Sequence, residues 1–132
     1  MTTADRAIGS TGVTAVVDLY CQCWNEASAE TRRALLAQVW GEDATYTDPT
    51  VHLVGVDQLN QHIGIVLEQS PGSRIVRTSA VDLHHSVFRF TWHKELSSGE
   101  VLPEGTDFGD IGEGGMLTRI VGFFGPPKHS RA

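Results

Sequence analysis

Apolar positions along this chain first recur at helical spacing and later alternate. Val13, Val16, Val17, Tyr20 and Trp24 share one stripe of a 3.6-residue period, and Ser10 or Thr11 is placed to cap a helix beginning near Val13. Asn25 and Ser28 break the stripe. Ser28 is positioned to cap a second helix, which turns Leu35, Leu36 and Val39 inward and ends at Gly41. The period then changes. Residues 44–48 predict a short strand stopped by Pro49, and residues 50–54 predict another before Gly55. A third helix follows with Val56, Leu59, Ile63, Val66 and Leu67 on one face, closed by Ser70-Pro71-Gly72.

From there the pattern is that of strands. Residues 74–83 and 87–96 are β-rich runs separated by the polar corner Leu83-His84-His85-Ser86, and Ser97-Ser98-Gly99 makes a turn. Residues 106–111 and 116–124 flank Gly112-Glu113-Gly114-Gly115, a hairpin signal, before Pro126-Pro127. In the run 87–96, Phe88, Phe90 and Trp92 alternate onto an apolar face, leaving Arg89, Thr91 and His93 on the other. Helices first and a largely antiparallel meander afterwards predict an α+β domain, with helices covering one face of a curved sheet. Its expected span is residues 12–125, between a flexible N-terminal tail (1–11) and a C-terminal tail (126–132).

Composition narrows the partners. The chain has 132 residues, enough for one domain, and 40% of them are hydrophobic. A net charge of −6 disfavours nucleic acid and an anionic membrane surface as partners. No apolar run reaches membrane-span length, and the first ten residues lack a basic-then-apolar leader, so the expected location is cytoplasmic. Cys21 and Cys23 sit two apart on a helix, pointing about 200° from one another, which rules out a bridge or joint chelation. They read as small buried side chains, with Cys21 or Cys23 near any pocket. His84 and His85 cannot both face inward and have no third ligand at suitable spacing, so no metal is expected. No catalytic-triad order, nucleophilic-cysteine motif or phosphate-binding glycine loop is present. Arg32-Arg33 reads as solvated helix surface, and Arg119 as a partner for an acid at a dimer face or in a substrate.

Several local motifs fall in the order found in one superfamily. They are Tyr20…Trp24-Asn25, the run Glu42-Asp43-Ala44-Thr45-Tyr46-Thr47-Asp48-Pro49, Gly55 and Pro71-Gly72 around the third helix, and Gly105-Thr106-Asp107 with the final strand. Over residues 12–125 the chain resembles the nuclear transport factor 2-like superfamily, in particular its SnoaL-like and ketosteroid isomerase branches. The resemblance implies a cone-shaped cystatin-like roll: three helices on a strongly curved, mainly antiparallel sheet around one pocket, with a homodimer through the sheet's outer face. It also implies a cofactor-free site for a small apolar molecule. Members of this fold include isomerases, cyclases, dehydratases and non-catalytic binding or association domains, so fold alone does not choose among them.

By that resemblance Tyr20, Asp48 and Asp107 form the catalytic constellation. Asp48 takes a proton from carbon beside a carbonyl, while Tyr20 and a protonated Asp107 donate to the developing oxyanion. A carboxyl group donates only if it stays protonated, which an apolar setting enforces. Each residue has a plainer reading as well: Tyr20 as a packed core residue, Asp48 as a turn residue before proline, and Asp107 as part of a Gly-x-Asp pattern that SnoaL-like members without known activity also carry. Trp24, His62, Phe88, Phe90 and Trp92 are the expected substrate-binding wall, with His62 a possible second proton carrier. The interval from Tyr20 to Asp48 is longer than in the isomerases, residues 25–33 are more polar, and residues 95–103 are elaborated. A steroid substrate is therefore not carried over.

Overall fold

The computed structural model describes residues 10–130. Three helices, α1 (Ser10–Cys23), α2 (Ala29–Val39) and α3 (Gly55–Gln69), pack on a sheet of seven strands. The strands are β1 (Trp40–Asp48), β2 (Val51–Val54), β3 (Arg74–Arg77), β4 (Asp82–His84), β5 (Val87–Glu95), β6 (Gly105–Ile111) and β7 (Leu117–Phe123). The order is β2-β1-β7-β6-β5-β3, with β4 also on β5, and every pair is antiparallel except β1 with β7. This is the α+β arrangement the pattern predicts.

Local expectations hold where local chemistry decides. Ser28 caps α2, its hydroxyl accepting the Thr31 N–H at 3.2 Å. Val13, Val17, Tyr20, Leu36, Val39, Leu59 and Ile63 are buried and pack against Trp40, Ala44, Phe88, Phe90, Leu117 and Ile120 from the sheet. Other expectations need correction. Ser10 and Thr11 already lie within α1, and the rest of the expected N-terminal tail lies outside the described residues. α2 ends at Val39 rather than at Gly41, because Trp40 turns extended and starts β1. The buried Trp40 ring stacks on Tyr20 at 5.7 Å, so packing overrides the glycine stop signal. The run 74–83 is two strands. Arg77 pairs Trp92 and Asp82 pairs Arg89, leaving residues 78–81 as a bulge opposite Phe90 and Thr91. Such bulges bend a sheet around its core.

Arg32 departs furthest from its expected place. It is 2% exposed, not solvated. Its Nε donates to Asn60 Oδ1 at 2.6 Å, its Nη1 to the Glu26 carbonyl at 2.7 Å and its Nη2 to the Asn60 carbonyl at 3.1 Å. A Cβ at position 64 would stand 2.9 Å from Arg32 Nη2, so Gly64 leaves room for the guanidinium between α2 and α3. Arg33, by contrast, is exposed and pairs Asp57 at 2.7 Å. The buried guanidinium ties the two helices together through neutral acceptors that replace its lost hydration.

Candidate active site

The helices and the inner face of the sheet surround a cavity of about 480 Å³. Among the residues singled out from sequence, Tyr20, Trp24, Asp48, His62, Phe90, Trp92 and Asp107 line it. Phe88 does not. It is 1% exposed and stacks on Phe90 at 6.2 Å, with its ring over Gly109, so it belongs to the core beside the cavity. The alternation of β5 puts Phe88 on the correct face but does not say how far along that face the cavity extends. Arg119 lies outside the cavity lining, 3.9 Å from Asp110 in an exposed pair. His84 and His85 contact one another at an exposed corner where His85 and Ser86 have positive φ. Among the described residues no group of three acidic, histidine or cysteine side chains is arranged to hold a metal.

Asp107 reaches the cavity from β6 and is 6% exposed. Trp92, on β5, donates its indole N–H to Asp107 Oδ1 at 2.8 Å. The Trp92 ring lies across Gly105, where any Cβ would collide with it at 2.5 Å. Asp107 Oδ2 has no hydrogen-bond partner among the described residues. Burial pushes the Asp107 carboxyl up to about 7; the Trp92 bond opposes this and the nearby Asp48 charge adds to it. When Asp107 is protonated, the indole bond to Oδ1 leaves the hydroxyl on Oδ2, facing ligand space.

Asp48 is set differently. Its Oδ1 accepts from Thr50 N at 2.7 Å, Thr50 Oγ1 at 2.7 Å and Val51 N at 3.2 Å, an Asx-type turn across Pro49. Among the described residues its Oδ2 accepts only the Tyr46 hydroxyl, at 2.7 Å. A carboxylate oxygen has a second lone pair, so Oδ2 is the half of Asp48 open to chemistry. Both the turn role and the site role of Asp48 are thus present, one on each oxygen.

Gly122 separates the two carboxyl groups. It pairs Asp107 across β6 and β7, and β1 with Asp48 runs on its other side. A Cβ there would stand 2.8 Å from Asp107 Oδ1 and 3.9 Å from Asp48 Cβ. The missing side chain leaves room for the Asp107 carboxyl, whose Oδ1 occupies that space.

Aromatic rings make the facing wall. Trp24, Tyr46 and His62 form a cluster with centroids 5.5 to 6.2 Å apart. Tyr20 is buried against Trp40, and burial, with Tyr46 and Asp107 adding, holds its hydroxyl well above the ordinary phenol range. Burial, then Asp107 and Asp48, pushes Tyr46 up as well, so both hydroxyls are donors. Cys21 also lines the cavity, its thiol pushed up by burial and therefore unreactive. Sequence reasoning missed Tyr46 and Gly122. Tyr46 was accessible from strand alternation with Asp48, and Gly122 from an interior strand glycine, a usual mark of close approach.

A scan against protein-family models returns no match, and a search of curated proteins returns no significant one. Solved structures do match. A SnoaL-like family protein of Agrobacterium tumefaciens, described as a candidate isomerase, has a TM-score of 0.82 at 29% identity, covering 88% of this chain and 99% of that one. A protein of unknown function with a cystatin-like fold from Methylobium petroleophilum has a TM-score of 0.75 at 16% identity, covering 96% and 84%. A nuclear transport factor 2-like superfamily protein from Salmonella enterica has a TM-score of 0.70 at 16% identity, covering 92% and 94%. The chain has the nuclear transport factor 2-like, cystatin-like fold, with SnoaL-like proteins among its structural neighbours.

Burial of Asp107 has a consequence for stability. Its folded-state value of about 7 lies above the ordinary carboxyl value of 3.8, so the folded state holds the proton more tightly than the unfolded one. That contribution is complete below the unfolded value and is lost as pH rises through the folded one. Asp107→Asn removes the titration. Urea unfolding at pH 5 and pH 8 is expected to show the variant gaining on the wild type as pH rises. Parallel behaviour at the two pH values contradicts a buried, protonated Asp107.

Proposed function

We propose that this protein is a cofactor-free enzyme that moves a proton beside the carbonyl group of a small, largely apolar compound. Isomerisation, cyclisation or dehydration would follow from the enolate so formed. One observation carries the reading. Two carboxyl groups enter one largely apolar cavity, Asp107 dry with a free oxygen and Asp48 solvated by protein donors. In the proposed reaction Asp48 Oδ2 takes the proton from carbon, the electron pair of the C–H bond forms a carbon–carbon double bond to the carbonyl carbon, and the C=O π pair moves onto oxygen. Asp107 Oδ2–H, with Tyr20 close by, donates to that oxygen as its charge grows. Tyr46 keeps Asp48 Oδ2 oriented, and returning the proton to another carbon completes an isomerisation. The SnoaL-like neighbour described as a candidate isomerase agrees with this class of reaction.

The second reading is a domain that binds a small molecule without transforming it. The Asp48 turn favours it, because Oδ1 accepts three hydrogen bonds from Thr50 and Val51, a structural use of the carboxylate that needs no reaction.

The two readings separate without knowledge of the substrate. Exchange of the α-protons of β-tetralone in deuterium oxide, followed by proton NMR, is expected to run faster with the protein than in buffer. Asp48→Asn should lower the rate by about a hundredfold or more. Asp107→Ala should cost about as much, and Asp107→Asn less, since it keeps a donor. Because the donor must be protonated, the protein-dependent rate should fall as pH rises through about 7. Exchange no faster than buffer favours the binding reading, and a rate that rises through that range makes Asp107 the base instead.

The reading extends to assembly as a homodimer through the outer face of the sheet. Phe108 and Phe123 meet edge to face there at 6.1 Å and are 40% and 54% exposed. Sedimentation equilibrium is expected to give a dimer that Phe108→Glu dissociates. A wild-type monomer at high micromolar concentration contradicts the proposal.

A further inference from the structure

Beyond the two carboxyl groups, the cavity wall contains a cation that the proposed reaction does not use. Lys94 continues the inward-facing series of β5, two residues after Trp92 and four after Phe90, and it lines the same cavity. Its side chain is half-buried and has no hydrogen bond or carboxylate partner among the described residues. Most arginines here are engaged: Arg33 with Asp57, Arg77 with Asp18, Arg89 with Asp82, Arg119 with Asp110, and Arg32 with neutral acceptors. The acid next in sequence is unavailable, because Glu95 points to the opposite face and meets His93 at 2.9 Å. In a chain of net charge −6 an unpaired half-buried lysine is unusual, since acids outnumber bases 16 to 10. Burial works against the ammonium charge and pulls the Lys94 value down. An anion brought to it would offset that cost.

Its position gives the ligand a direction. Phe90 lies directly opposite Asp107, and Lys94 is four residues further along the strand, a separation of about 13 Å between backbones. Between them the wall is the Trp92 ring, with Phe124 edge-on to it at 6.0 Å. Anions are disfavoured at the Asp48 end by like charge, and they are favoured at Lys94.

We infer that Lys94 is a specificity-determining residue, and that the substrate is an apolar compound carrying a carboxylate at the end remote from its reacting carbonyl. This rests on the cavity of the proposed function for its orientation, but it concerns binding alone. Lys94 anchors the carboxylate, the Phe90 and Trp92 rings hold the apolar body, and the carbonyl comes to rest between Asp48 and Asp107.

The test uses phenylbutanoate, phenylhexanoate and phenyloctanoate, each compared with its primary amide by calorimetric titration. The wild type is expected to bind at least one carboxylate about tenfold or more tightly than its amide, the usual worth of a charge-assisted hydrogen bond. Lys94→Met should abolish that preference while leaving amide affinity nearly unchanged, and Lys94→Arg should restore most of it. Thermal melts of both variants report whether they fold. Asp48→Asn should keep the preference, so loss of α-proton exchange and loss of carboxylate selectivity are separate failures. Equal affinity of carboxylate and amide in the wild type overturns the inference, as does no binding of either. A preference that survives in Lys94→Met places the anion elsewhere and overturns it as well.

Discussion

The site depends on one hydrogen bond made in a dry place, from the Trp92 indole to Asp107 Oδ1. It settles the orientation of a buried carboxyl and the location of its proton. A carboxyl group so deeply buried resists ionisation because the protein interior solvates charge poorly. The indole N–H partly offsets this, and its occupation of one oxygen turns the other toward the cavity. A protonated acid with a free hydroxyl is a ready donor to a developing oxyanion, which is the requirement of enolate chemistry.

The rest of the sheet makes that bond possible by omitting side chains. Gly105 accommodates the Trp92 ring, Gly109 the Phe88 ring, and Gly122 the Asp107 carboxyl. The Trp92 and Phe88 rings of β5 thus lie across glycines on β6. Strand glycines usually weaken a sheet, because they add backbone entropy in the unfolded chain and bury no side chain. Here the Trp92 and Phe88 rings and the Asp107 carboxyl fill the vacancies. Asp48 has the complementary setting: a turn at Pro49 supplies donors to one oxygen and Tyr46 supplies one to the other. Two chemically identical side chains therefore differ through their neighbours.

The helical stripes and strand alternation were legible because each depends on residues close in sequence. Tyr20, Asp48 and Asp107 were legible through motif order, and their meeting in one cavity follows from the parallel β1–β7 pair that brings chain halves together. What was not legible was set at long range. Arg32 looks like a surface residue until Asn60 and Gly64, on another helix, supply its acceptors and its space. Gly41 looks like a helix stop until Trp40 finds Tyr20. Phe88 has the same alternation as Phe90, yet only the depth of the cavity distinguishes a wall residue from a core residue. Tyr46 was missed for a different reason: its neighbour Asp48 drew the chemical reading, although the two share a strand face.

The proposed chemistry turns on Asp107 being a neutral acid at the pH where the protein works. Carbon-13 NMR of protein labelled at aspartate carboxyl carbons, assigned with Asp107→Asn, measures this directly. The expected result is an Asp107 resonance that titrates near pH 7, where burial places it. A resonance that titrates near the ordinary aspartate value of about 4 means the carboxyl is ionised at neutral pH, and it contradicts the donor role on which the proposed chemistry rests.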